Sequence, residues 1–149
     1  MAHAQEIGFD AVVERGRLAA ANLPDGLVLA GFSLGVLPAQ MLAQNHPGAL
    51  GALLYHGCVS TSEFGGGWPD GVPVQVHAMD GDPFFAEDVD AARALVATAK
   101  DAELFLHLGD RHLFTDNTLP EYDESATALV LERTLALLSA VDAERGDRS

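Results

Sequence analysis

A parallel α/β fold, with helices on both faces of a mainly parallel sheet, is the class this sequence predicts. Three observations carry it. Four short, largely apolar runs fall at residues 27–32, 52–57, 73–79 and 103–109, and the first two lack polar alternation, as strands buried on both faces do. Segments of helical character stand between them. Turn-forming Pro, Gly and Asp separate the two kinds. In chain order, residues 9–22 place Phe9, Val12, Val13 and Leu18 near the helical period, and Leu23-Pro24-Asp25-Gly26 stops that helix. LVLAGF (27–32) is the first strand. Residues 34–45 predict a helix in which Pro38 is tolerable only in the first turn, closed by His46-Pro47-Gly48. ALLYHG (52–57) is the second strand, followed by a Gly- and Pro-rich loop from Thr61 to Val72. PVQVHAM (73–79) leads into a helix from near Ala86. ELFLHLG (103–109) precedes a polar loop and a final helix from about Tyr122 to Val141. The polar tail, Asp142 to Ser149, is expected to fray.

The 149 residues are 48% hydrophobic and 20% charged, which suits one globular domain with a packed core. Net charge is −14, from 22 acids and 8 bases. Such a surface repels phosphate backbones and anionic headgroups, so the expected partners include neither nucleic acid nor a membrane. No apolar run approaches the roughly 18–20 residues that span a bilayer. Met1 to Asp10 lacks a secretory pattern, so a cytoplasmic protein is expected. The single cysteine, Cys58, excludes an internal disulfide and a multi-cysteine zinc site. It is expected to be a small buried side chain.

Ligands of parallel α/β sheets bind outside the carboxyl ends of the strands. Gly31-Phe32-Ser33-Leu34-Gly35 stands at the first of those ends as G-x-S-x-G, between a strand and a helix. A nucleophile on so sharp a turn needs strained backbone, and flanking glycines remove Cβ clashes. The hydroxyl then projects above the sheet at a helix N-terminus, and the Leu34 N–H becomes an oxyanion donor. The plainer alternative is a glycine-rich turn with Ser33 as N-cap.

A serine nucleophile needs a base and an orienting acid. Asp80-Gly81-Asp82-Pro83 follows the third run and Gly109-Asp110-Arg111-His112 the fourth, both after Ser33 and both at the same sheet edge. His112 is the expected base. His107, inside its strand, suits a core or helix-facing role. His77 has the same difficulty, whereas His56, near a strand end, is placed to line a pocket. His3 and His46 have no expected partner. Asp80 and Asp82 are not separated by these arguments, since each also suits a turn. Asp88 and Asp90 read as acids favoured at a helix start. Phe32, Phe84 and Phe114 are candidate pocket residues, the latter two equally suited to core. Trp68, in Phe64-Gly65-Gly66-Gly67-Trp68-Pro69, reads as the packing anchor of a surface loop, with a substrate lid as the alternative.

These residues resemble the dienelactone hydrolase family of α/β-hydrolases, from about Ile7 to Val141. GFSLG is similar to that family's nucleophile elbow, with serine where the best-known members carry cysteine. Val76 to Phe85 resembles its acid loop, which implies Asp82 as the acid. Gly109-Asp110-Arg111-His112-Leu113-Phe114 resembles its histidine loop. The resemblance implies a three-layer α/β-hydrolase-like fold and an ester or lactone hydrolase with the triad Ser33, Asp82 and His112. It implies no metal and no organic cofactor. It also begins at the helix before the elbow, so the chain is expected to be a single partial domain without the family's earlier strands and second oxyanion loop. Two expectations follow. One is a catalytically impaired binding or assembly module as the alternative function. The other is a homodimer or larger oligomer that covers residues 27–32.

Overall fold

The computed structural model describes residues 8–148, so His3 lies outside the described residues. Helix α1 (Phe9–Ala20) leads to strand β1 (Leu27–Phe32), and a single 3-10 turn, Ser33–Gly35, joins β1 to helix α2 (Val36–Asn45). Strand β2 (Ala49–Tyr55), strand β3 (Val74–Met79), helix α3 (Val89–Thr98), strand β4 (Ala102–His107) and helix α4 (Glu124–Arg148) complete the order. The four strands form one sheet in the order β1-β2-β3-β4, every pair parallel. The α/β class and its parallel sheet are therefore as the sequence predicts.

Period-two alternation sorts the strand side chains into two layers. Leu29, Ala52, Leu54, Val74, Val76 and Ala78 meet Val36, Ala39, Leu42 and Ala43 of α2 and Ala92 and Leu95 of α3. Leu53, Tyr55 and Met79 point to the other face and meet Ala126, Val130, Leu137 and Val141 along one stripe of α4. Helix α1 packs on α2, with Gly16 against Pro38 where a Cβ would overlap the ring. Among the described residues, no helix is long and apolar enough to cross a membrane.

Several boundaries differ from the sequence reading, and three of them show why. Strand β2 begins at Ala49 rather than Ala52, because the Gly48 carbonyl accepts the N–H groups of Gly26 and Leu27 and draws the turn into the ladder. Strand β4 stops at His107, since Leu108 turns outward, 86% exposed, and Gly109 takes φ +142°. Helix α4 runs to Arg148, so the tail expected to fray is helical. Its apolar stripe ends at Val141, but Ala, Glu and Arg are strong helix formers and continue the helix by propensity.

Candidate active site

Each strand delivers one polar side chain to the same edge. Ser33 follows β1, His56 follows β2, Asp82 comes three residues after β3 and His112 five after β4. Ser33 adopts φ +52°, a left-handed conformation that non-glycine residues reach only under constraint. The constraint is the tight turn itself: a Cβ on Gly31 would overlap the Gly35 carbonyl carbon and oxygen. Gly35 has ordinary helical dihedrals, and a Cβ there would meet open space. Only the first glycine of the motif is thus demanded by packing on its own side.

Ser33 Oγ lies 2.8 Å from His112 Nε2, and His112 Nδ1 lies 2.6 Å from Asp82 Oδ2. Asp82 is 2% exposed and its Oδ1 accepts the Phe84 N–H at 2.8 Å. A carboxylate accepts, so Nδ1 carries the ring proton and Nε2 is left to accept from the serine hydroxyl. The neighbouring Asp80 is exposed, and its Oδ1 accepts the Gly109 N–H at 3.1 Å. It ties the β3 and β4 loops together and makes no contact with an imidazole.

Ser33 and His112 open on a cavity of about 1390 Å³, lined among others by Phe32, Leu34, His56 and Phe84. Phe32 stacks on Tyr55 with ring centroids 4.5 Å apart, and Phe84 leans on His112 at 4.8 Å. Two candidate pocket residues lie elsewhere, which corrects their pocket role and leaves Trp68 as the loop anchor its sequence reading favours. Phe114 is fully buried in the α4-side core and does not line the cavity, although its ring supports His56 edge-on at 4.9 Å. Trp68 packs against the core on the α2 and α3 side and donates its indole N–H to the Val72 carbonyl at 2.7 Å. It anchors its loop and does not reach the cavity.

His56 is 2% exposed, has φ +66° and shares a 2.9 Å hydrogen bond from Nε2 with Thr115 Oγ1. Burial, with the nearby His112, pushes its pKa down to about 4. His77 and His107 face α4 instead, as expected of them. Gln75 donates to the Arg133 carbonyl, so its Oε1 accepts His77 Nε2–H at 2.9 Å, and His77 Nδ1 accepts from His107 Nε2 at 3.3 Å. Burial first and then His107 push the His77 pKa down to about 3. His46 closes the turn after α2, its Nδ1 accepting the Gly48 N–H.

Asp88 escapes the sequence reading. It begins α3, but its Oδ2 accepts the Cys58 N–H at 3.2 Å and it lines the cavity. Burial raises its pKa. Burial and then Asp88 push the Cys58 thiol up to about 12, which keeps it protonated on the cavity wall it shares with Ser33. Three side-chain amides of α2 grip the loop after Cys58. Gln40 bonds both the N–H and the carbonyl of Val59, Gln44 donates to the carbonyls of Thr61 and Gly66, and Asn45 donates to that of Phe64.

The family model described as "Dienelactone hydrolase family" matches residues 5–141. Among solved structures, the chain is similar to a protein from Klebsiella pneumoniae subsp. pneumoniae MGH 78578 assigned as a dienelactone hydrolase, at 19% identity and a TM-score of 0.63. That alignment covers 88% of this chain and 60% of the other, so this chain spans about three fifths of the length of that relative. The likeness shows an α/β-hydrolase fold. No curated protein matches the chain.

Proposed function

Because the chain belongs to the dienelactone hydrolase family, a family of hydrolases, we propose that it cleaves a carboxylic ester or lactone through an acyl-enzyme on Ser33. The hydrogen-bonded line from Ser33 through His112 to Asp82, at 2.8 and 2.6 Å, is the observation that carries this reading. Ser33 Oγ attacks the carbonyl carbon while His112 Nε2 takes its proton. Asp82 holds the tautomer and the resulting imidazolium. The Leu34 N–H, next to the nucleophile at the cavity wall, donates to the developing oxyanion. His112 returns its proton to the leaving oxygen. It then activates water, which cleaves the acyl-enzyme by the same path in reverse. Phe32 and Phe84 supply apolar walls beside the reacting carbonyl, and His56, held neutral, braces the histidine loop through Thr115.

The reading extends to one catalytic domain that needs no metal or organic cofactor and works in the cytoplasm, where a reduced Cys58 is at home. The test is labelling with a fluorophosphonate alongside turnover of p-nitrophenyl acetate. Wild-type protein is expected to label at one site per chain and to turn over. Ser33→Ala should do neither, and His112→Ala should lose turnover. Equal, weak labelling of wild type and Ser33→Ala would sink the nucleophile assignment. A second reading rests on the shorter length relative to the Klebsiella protein: an assembled triad on a unit that binds without turning over. Stoichiometric labelling with no turnover would favour it.

A further inference from the structure

The charge around the cavity is one-sided. Its wall carries the carboxyl groups of Asp10, Glu63, Glu87, Asp88 and Asp116. Among the described residues that line it there is no lysine or arginine, and its two histidines are His56 and His112. His56 is neutral near pH 7, since burial holds its pKa at about 4. Two arginines outside that wall are engaged elsewhere. Arg17 is paired with Glu14, and Arg111 donates to the carbonyls of Glu121 and Tyr122. Asp88 is partly buried, which raises its pKa; the other four acids are exposed at the rim. Interleaved with them on the wall are the rings of Phe9, Phe32, Phe64, Phe84 and Tyr122.

Carboxylates mixed with aromatic faces are the chemistry that holds alkylated ammonium groups. The ring quadrupole and the acids attract the cation, while the apolar wall accepts its methyl groups. The same wall repels a second carboxylate on a substrate. Building on the hydrolase reading above, we infer that the cavity selects esters or lactones whose non-reacting end is a cation, an alkylammonium above all, and rejects those bearing a carboxylate there.

Three p-nitrophenyl esters with tails of similar length test this: 4-(trimethylammonio)butanoate, its uncharged isostere 5,5-dimethylhexanoate, and the monoester of adipate, each corrected for Ser33→Ala. The expected order of kcat/KM is cation, neutral, anion, with the first and last at least about tenfold apart at low salt. The ratio should shrink in 0.5 M NaCl, where the Debye length falls to about 4 Å from about 30 Å at 0.01 M, and in the combined variant Glu63→Gln, Glu87→Gln, Asp116→Asn. An adipate ester hydrolysed as fast as the neutral one would overturn the inference. Binding of butyltrimethylammonium and of hexanoate to Ser33→Ala, followed by saturation-transfer NMR, gives a readout independent of turnover. Preference for the ammonium with no Ser33-dependent turnover would sink the hydrolase reading and keep charge selection. Equal binding, or preference for hexanoate, would overturn charge selection even in an active enzyme.

Discussion

Asp82 uses its two carboxylate oxygens differently: Oδ2 meets His112 and Oδ1 caps the Phe84 N–H. Asparagine at this position keeps an oxygen for Phe84 but places an amide where the imidazole N–H must be accepted. Asp82→Asn is therefore expected to leave the fold intact by circular dichroism while kcat falls about 10³–10⁴-fold, as loss of the orienting acid does elsewhere. The buried histidines set a second prediction, for stability. An unfolded imidazole titrates near pH ~6.5, whereas His56 and His77 are held down to about 4 and about 3, chiefly by burial. Between those values the unfolded chain binds protons that the folded chain refuses. Stability is thus fully present above about pH 6.5 and is lost as pH falls toward the folded values, by on the order of 3–5 kcal/mol for each group. Urea midpoints measured from pH 7.5 down to 4.5 should fall steeply in the wild type. His77→Gln should flatten that slope.

The elbow is the element on which the site depends. Gly31→Ala drives a methyl into the Gly35 carbonyl, backbone that cannot step aside without unwinding the β1–α2 turn. The expected cost is about 3 kcal/mol in urea unfolding, against almost none for Gly35→Ala. A similar cost at both glycines would contradict the role given to the first. Much of the element order was legible in the sequence, because parallel strands are continuous apolar runs and Leu27–Phe32 begins and ends as read. What was not legible was set by partners distant in sequence. The start of β2 depends on the Gly48 carbonyl meeting the amides that open β1. Periodicity within residues 49–51 holds no trace of that. That Ser33, Asp82 and His112 meet was legible because each stands in a turn after a strand, in an order known from a resembling family. Asp88 was not, since its service to Cys58 exists only once the β2 loop crosses the start of α3. Phe114 and Trp68 show the converse limit: an aromatic near a site in sequence can serve either wall or core, and here both serve packing.

At the scale of the molecule, β1 is one edge of the sheet, opposite the edge formed by β4 among the described strands. Among the described residues it pairs with β2 alone, and Ala30 and Phe32 are exposed. An apolar edge of this kind invites a further strand. A second copy is the expected occupant, giving a homodimer or larger oligomer around residues 27–32. The −14 charge opposes approach, so association should tighten as salt screens it. Sedimentation at tens of micromolar should show it, and a monodisperse monomer at high salt would refute it; Val28→Lys should weaken it. The grip of α2 on the loop after Cys58 has a different consequence, for how the protein can change. All of its bonds to that loop end on backbone atoms of Val59, Thr61, Phe64 and Gly66. Side-chain identity at Glu63 and Phe64, two positions on the cavity wall, is therefore uncoupled from anchorage. Mutational drift or a saturation library at those two sites can retune what the cavity admits while the loop stays fastened, a freedom denied to the acid and histidine loops, where the side chains are themselves the fastenings.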